Sequence, residues 1–285
     1  MKFDKSKKLL VIGRAGMDIY PEPPGTKISD VQEFSTHLGG SAANTCVALS
    51  KLGVSSDLVT CISDDAIGEY IFKKLEDFNV GNNLCRRVDK KFQTQVAVVE
   101  TILKNNQSIL YRNNSCDLQL DKEDIDKINF QDYSAVFISG TALSSSPSRE
   151  AVFYAAEKAS TLSIPLIMDM DYRPYNWESD EIKSNIYKKI MKEMDIIIGN
   201  DLEFNIANNS TDGLQLAKDF IKEKPSIIIY KMGEKGSKVL TEEKDLSFGI
   251  FKVEAIKPTG AGDAFNGGFI SSFLQGFSLE DSIKR

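Results

Sequence analysis

The 285-residue chain reads as a doubly wound, mostly parallel α/β sheet flanked by helices, with a small antiparallel β lid. Three observations carry this prediction. Short apolar, β-branched runs recur without polar interruption, as in parallel strands covered on both faces. Segments of helical period lie between most of them. Two stretches break the alternation, one rich in Pro and Gly and one with a period of two.

Residues 9–12, Leu-Leu-Val-Ile, form the first apolar run and predict a buried strand. Residues 41–52 place Ala42, Ala43, Val47, Ala48 and Leu52 at helical spacing and predict a helix packed beside it. Further strands are predicted at 57–62, 135–139, 165–168, 195–198 and 226–230, with helices at 148–161 and 182–193. The polar stretch 20–34 and the alternation of Gln95, Ala97, Val99, Thr101, Ile109 and Tyr111 predict lid strands at about 15–36 and 92–113. Asn105-Asn106 and Asn208-Asn209 read as loop tips, and residues 1–285 as a single domain carrying the lid.

Composition narrows the function. With 41% hydrophobic and 27% charged residues the chain can bury a large core. A net charge of -6 and the lack of a long basic run give no global attraction for nucleic acid or anionic lipid, so neither is an expected partner. An anionic substrate must therefore meet local positive charge. Cys46, Cys61, Cys85 and Cys116 form no C-x-x-C pair and His37 is the only histidine, which supports neither a disulfide frame nor a zinc site and suggests a reducing cytoplasm. The run at 9–12 is far too short for a signal core or a membrane span.

The most informative stretch is Pro258-Thr259-Gly260-Ala261-Gly262-Asp263-Ala264-Phe265-Asn266-Gly267-Gly268-Phe269. Gly260, Ala261 and Gly262 carry so little side chain that a phosphoryl group can approach the main chain, facing the positive end of the helix that follows. Asp263, in the first turn, sits where a base could take the proton of an attacking hydroxyl. Together these point to phosphoryl transfer. The plainer alternative is a flexible turn whose Asp stabilises a helix N-terminus.

From Leu9 to its last residue the chain resembles the ribokinase-like, or PfkB, family of carbohydrate kinases. In Gly39-Gly40-Ser41-Ala42-Ala43-Asn44 the resemblance implies that Gly39, Gly40 and Asn44 contact sugar hydroxyls, and in Gly13-Arg14-Ala15-Gly16-Met17-Asp18 that Asp18 binds the sugar. It implies Asp263 as catalytic base, with the amides of Gly260, Ala261 and Gly262 as anion hole. Asn200-Asp201-Leu202-Glu203 fits the family's N-x-x-E element, implicated in holding Mg2+ and phosphate through water from Asn200 and Glu203, although Asn and Glu at this spacing also make an ordinary helix cap. Lys231-Met232-Gly233-Glu234-Lys235-Gly236 resembles the G-x-x-G nucleotide turn of Gly233 and Gly236, with Lys231 where many relatives carry Thr. ATP and Mg2+ are the implied cofactors, with a monovalent cation as a further one.

Three stretches narrow the resemblance to the branch acting on a sugar acid, 5-dehydro-2-deoxygluconate: residues 13–18, residues 139–143 with 146–152, and Asp171-Tyr172-Arg173-Pro174-Tyr175-Asn176-Trp177. 2-Keto-3-deoxygluconate and fructose are the alternative acceptors. A sugar acid demands a cation for its carboxylate. Arg112 and Arg173 are the first candidates and Arg14 the third, since a guanidinium offers a two-pronged fork. Arg112 could instead be a solvated strand-edge charge, and Arg173 a structural partner of Asp169 or Asp171.

The exposed edges of lid sheets suggest a homodimer through the lid strands. Family members continue through further helices past the Asp263 helix, so part of the family fold is expected beyond residue 285. A catalytically silent sugar sensor would lack the base, whereas Asp263 is present. An NAD-binding fold would need G-x-G-x-x-G after the first strand, and Gly13-Arg14-Ala15-Gly16 lacks its third glycine.

Overall fold

The apolar runs become the middle of one large sheet. In the computed structural model, which describes residues 3–102, 107–253 and 259–285, the strands are β1 (Lys8–Ile12), β2 (Gly16–Glu22), β3 (Glu33–Gly39), β4 (Ser56–Ser63), β5 (Cys85–Val88), β6 (Val96–Val99), β7 (Ser108–Tyr111), β8 (Tyr133–Ser139), β9 (Leu166–Asp169), β10 (Ile196–Asn200), β11 (Ile227–Lys231), β12 (Ser237–Leu240) and β13 (Asp245–Phe248). Asn105 and Asn106, read as a loop tip, and Pro258, which opens the glycine stretch, lie outside the described residues.

Nine strands pair in the order β13-β12-β11-β10-β9-β8-β1-β4-β5. From β4 and β5 across to β11 every pairing is parallel, and only the pairings of β12, with β11 and with β13, are antiparallel. Alternate residues of β1 feed opposite cores: Leu10 and Ile12 enter one cluster, Leu9 and Val11 the other. All four are fully buried, and burying such a side chain contributes roughly 1.5–3 kcal/mol. This two-sided burial is why these strands read as unbroken apolar runs.

The chain leaves β1 toward β4 on one side and later builds β8 to β11 on the other, so the order reverses beside β1. A crevice outside the carboxyl ends of the strands is the ligand position of such sheets. Gly13, Ser139, Asp169, Asn200 and Lys231 all sit at those ends. The predicted helix at 41–52 forms over Ser41–Lys51, and that at 148–161 over Ser148–Thr161. The helix read at 182–193 begins earlier, at Asp180, because the Ser179 side chain accepts from the Ile182 amide and caps it.

A second, four-stranded sheet in the order β3-β2-β6-β7 stands apart. β2–β3 and β6–β7 are antiparallel, but β2 and β6 meet in parallel. Tyr20, Ala97 and Val99 form its small core. The stretch read as polar at 20–34 is partly strand, since β2 runs through to Glu22 and β3 starts at Glu33. Among the described residues no helix is long and apolar enough to cross a membrane.

Candidate active site

The helix Ala261–Leu274 opens on Gly260, whose φ of 82° is in the left-handed region that favours glycine. Among the described residues, a Cβ at Gly260 would meet nothing within 4 Å, and one at Gly262 only the Lys231 Nζ at 3.7 Å. Among these residues the small-residue turn therefore has an unobstructed face with the Lys231 ammonium nearby. Asp263 lies in the first turn and is half-buried. Burial, then the Asp171 and Asp169 carboxylates, push its pKa up to about 7, against the pull of an Asn44 hydrogen bond and of Arg14. That bond runs from Asn44 Nδ2 to Asp263 Oδ2 at 3.1 Å.

Asn44 stands in the first turn of the helix Ser41–Lys51, which packs on the Asp263 helix so closely that a Cβ at Gly267 would lie 2.4 Å from Ala48 Cβ. Gly40 precedes that helix with φ 92°, and a Cβ there would meet the Arg14 carbonyl at 2.5 Å. Gly39 clears room for the buried Asp18, since a Cβ would lie 2.1 Å from Asp18 Oδ1. The Tyr20 hydroxyl donates to Asp18 Oδ2 at 3.3 Å. Asp18, Tyr20, His37, Asn44, Gly260 and Asp263 all line one cavity of about 290 Å³ beneath the lid.

At the ends of β9, β10 and β11 a charged group forms around Lys231. Its Nζ is 3.8 Å from Asp169 Oδ1, and Asp169 Oδ2 accepts from Asn266 Nδ2 at 2.6 Å. Burial raises the Asp169 pKa; burial also works against the Lys231 ammonium, but Asp169, Glu203, Asp171 and Asp263 outweigh it and hold the lysine pKa above its ordinary value. Asn200 and Glu203 form a reciprocal helix cap: Glu203 N donates to Asn200 Oδ1 at 2.9 Å and Asn200 N to Glu203 Oε2 at 2.7 Å. Glu203 Oε1 accepts from Tyr172 N at 3.1 Å. Burial and then Asp169 push the Glu203 pKa up to about 8. Both of its oxygens thus serve backbone amides, whereas the buried Asp169 Oδ1 faces the Lys231 ammonium but makes no hydrogen bond among the described residues. An acceptor of that kind suits an aquated cation.

The arginines gather on the lid side. Arg112 is fully buried, which excludes the solvated-edge reading; its Nη2 donates to Asp117 Oδ2 and to the Thr141 carbonyl. Arg173 is paired with Asp171 at 2.9 Å, as its structural alternative anticipated, and its Nη1 also donates to the Tyr172 carbonyl. Arg14 is buried and donates from Nη1 to Gln95 Oε1. Asp171, also bonded by Ser139 Oγ at 2.8 Å, has its charge opposed by burial but kept by Arg173 and Arg14, so its pKa lies below the ordinary range.

Of the residues singled out from sequence, Asp18, Asn44, Gly260 and Asp263 share a cavity, Gly39 and Gly40 shape its wall, and Arg14, Lys231 and Glu203 act electrostatically on the same acidic group. Gly233 and Gly236 instead form a tight turn after β11, φ 56° and 84°, in which a Cβ at Gly236 would strike the Phe248 carbonyl at 2.0 Å. That turn makes its contacts with the β13 end of the sheet. Gln95, Asp169 and Asn266 have no functional role in the sequence reading, where Gln95 is only a lid-strand position and Asp169 only a possible ion-pair partner of Arg173. The one available signal for Asp169 was its place at the carboxyl end of a predicted strand.

A family model described as pfkB family carbohydrate kinase matches residues 6–285. The chain is 36% identical over 288 residues to a 5-dehydro-2-deoxygluconokinase of Photobacterium profundum, covering 99% of this chain and 87% of that one. Among solved structures it is similar to an E. coli protein assigned to ribokinase II in complex with ATP and Mg2+, at TM-score 0.87 and 20% identity, over 98% of this chain and 89% of that one. A fructokinase variant of Vibrio cholerae with fructose, ADP and potassium ion bound matches at TM-score 0.84 and 22% identity, over 98% and 89%. The two structures agree in fold with the nine-stranded sheet.

Proposed function

This chain belongs to the pfkB family of carbohydrate kinases, and we propose that it transfers the γ-phosphoryl of ATP to the terminal hydroxyl of 5-dehydro-2-deoxy-D-gluconate, giving the 6-phosphate. The reaction is that of a phosphotransferase with an alcohol group as acceptor. The observation that carries the reading is Asp263: a carboxylate with its pKa raised to about 7, tied to Asn44, in the first turn of a helix opened by glycine.

Asp18, Gly39, Gly40 and Asn44 would hold the sugar hydroxyls beneath the lid. Asp263 takes the proton of the terminal hydroxyl as its oxygen bonds to the γ-phosphorus. The bond from that phosphorus to the β,γ-bridging oxygen breaks, and ADP leaves with the electron pair. The N-terminal turn at Gly260, Ala261 and Gly262, with Lys231 beside Gly262, receives the negative charge that spreads over the transferring group. Mg2+ arriving with ATP supplies further neutralisation of the phosphates. Among the described residues no three His, Cys, Asp or Glu side chains converge to ligate a metal directly; Asn200, Glu203 and the Asp169 oxygen that makes no hydrogen bond are read as acting through water. Gly233 and Gly236 are read as the nucleotide turn, and a monovalent cation is read as a further cofactor, as a potassium ion is bound in the similar fructokinase.

Buried Arg112, with Arg14 and Arg173, is read as the receptor for the acid end, and the 36%-identical kinase supports that substrate class. We read the reaction as cytoplasmic and the enzyme as a homodimer through the lid, whose edges expose Phe34 on β3 and Ile109 and Tyr111 on β7. A coupled assay of ADP release tests the whole reading. The highest kcat/KM is expected on 5-dehydro-2-deoxygluconate, and an equal or higher value on 2-keto-3-deoxygluconate or fructose overturns it.

A further inference from the structure

Four side-chain nitrogens on the lid side of the crevice are buried with no acceptor among the described residues: Arg14 Nε, Gln95 Nε2, and Arg112 Nε and Nη1. All four are donors. A buried donor left unsatisfied costs roughly 1–3 kcal/mol, and a fold that keeps several together is missing an acceptor rather than a packing contact. The residues that carry them are 6%, 1% and 2% exposed. The charged groups acting on Arg14 are two carboxylates, Asp171 and Asp117, and two further guanidiniums, Arg112 and Arg173. This group carries one positive charge in excess. A carboxylate supplies both what is missing: one negative charge and about four lone-pair sites.

Gln95 is the member that no motif picked out. It enters the lid just before β6, where its carbonyl accepts from the Met17 amide at 3.1 Å. Its side chain passes over Gly16, at which a Cβ would lie 2.4 Å from Gln95 Cγ, so a glycine at 16 is what lets the amide reach inward. The orientation of that amide is set by Arg14: Gln95 Oε1 accepts from Arg14 Nη1, and the flipped amide would set donor against donor. The NH2 end is therefore the end left to a ligand.

We propose that Gln95 is a specificity-determining residue, whose NH2, left free because its Oε1 is held by Arg14, donates together with Arg112 to the carboxylate of the sugar acid. The inference rests on the sugar-acid reading above. It makes Gln95 the neutral member of a receptor otherwise built from guanidiniums, able to bond the acid end without adding charge.

Gln95→Glu separates this role from that of a strut. The substitution keeps the shape and keeps an oxygen for Arg14, but it replaces the donor by an oxygen and fills the receptor with its own negative charge. If Gln95 donates to the substrate, KM for 5-dehydro-2-deoxygluconate rises at least about 30-fold, as expected when a bond to a charged group becomes a repulsion. The KM for ATP stays within about threefold, and the thermal stabilisation by the sugar acid without ATP is lost. Gln95→Leu, its fold checked by circular dichroism, raises the same KM by a smaller factor. If Gln95→Glu keeps the wild-type KM and thermal shift, or loses kcat with KM unchanged, the inference falls and the sugar-acid reading stands. If the wild-type enzyme itself does not phosphorylate the acid, both fall.

Discussion

Asn44 and Asp263, separated by 219 positions, are joined by a 3.1 Å hydrogen bond from amide to carboxylate. Each stands in the first turn of its own helix, and the two helices meet where Gly267 lies against Ala48. The bond ties the element expected to hold the sugar to the element expected to move its proton, so the position of the base depends on the packing of two distant segments.

Asp263→Asn keeps the shape and a hydrogen-bonding amide but removes the base. Turnover is expected to drop by roughly two to four orders of magnitude, with an unchanged circular dichroism spectrum. A variant with near-normal kcat would exclude Asp263 as the base.

The raised pKa of Asp263 sets a pH dependence. The proton-accepting form is populated only as pH rises through about 7, so log kcat/KM should climb with unit slope below that value and level above it. Asn44→Ala removes a hydrogen bond that holds the charged form, and the acid limb should move to higher pH. Stability follows the opposite sense. With a folded pKa above the unfolded value, the group's stabilising contribution is present at low pH and lost as pH rises through about 7. Asp263→Asn should therefore raise Tm at pH 8 relative to its effect at pH 5, read by thermal melts at the two values.

Gly39→Ala places a methyl 2.1 Å from Asp18 Oδ1. Something must shift, and the buried carboxylate is the nearest group. Overpacking of this kind costs about 1–3 kcal/mol, and a displaced sugar-holding group is expected to lower kcat/KM on the order of 10²-fold. Denaturant titration and initial rates check the two effects separately.

Lys231→Met takes the cation from the buried Asp169 and leaves an uncompensated carboxylate, for an expected loss of up to about 3 kcal/mol. Combining it with Asp169→Asn should restore much of that loss, because the charge that had lost its partner is gone. Additive losses in urea titrations of the two single variants and the double variant would show that the 3.8 Å pair carries no coupling.

The sheet was legible in the sequence because both of its faces are covered. Leu9 to Ile12, and the centres of the runs that became β8, β10 and β11, are apolar at consecutive positions, and that needs no knowledge of the neighbour. The Gly260 turn and Asp263 were legible for a related reason, since φ 82° and an open approach leave a local mark in glycine. The capping pair Asn200 and Glu203 is equally local. The lid was read in outline only: period-two alternation located β6 and β7, but the parallel contact of β2 with β6 is a long-range choice that no window of sequence contains.

What the tertiary structure alone decided is which charges meet. Arg112 reads in sequence as a receptor for the acid group or else a solvated strand-edge charge, and it proves to be fully buried beside Asp117. Lys231 faces Asp169 across 62 positions, and Gln95 is turned by an arginine 81 positions away. Coulomb energy and hydrogen bonding depend on separations of a few ångströms and on the exclusion of water, and both are set only when strands from distant parts of the chain end at the same crevice.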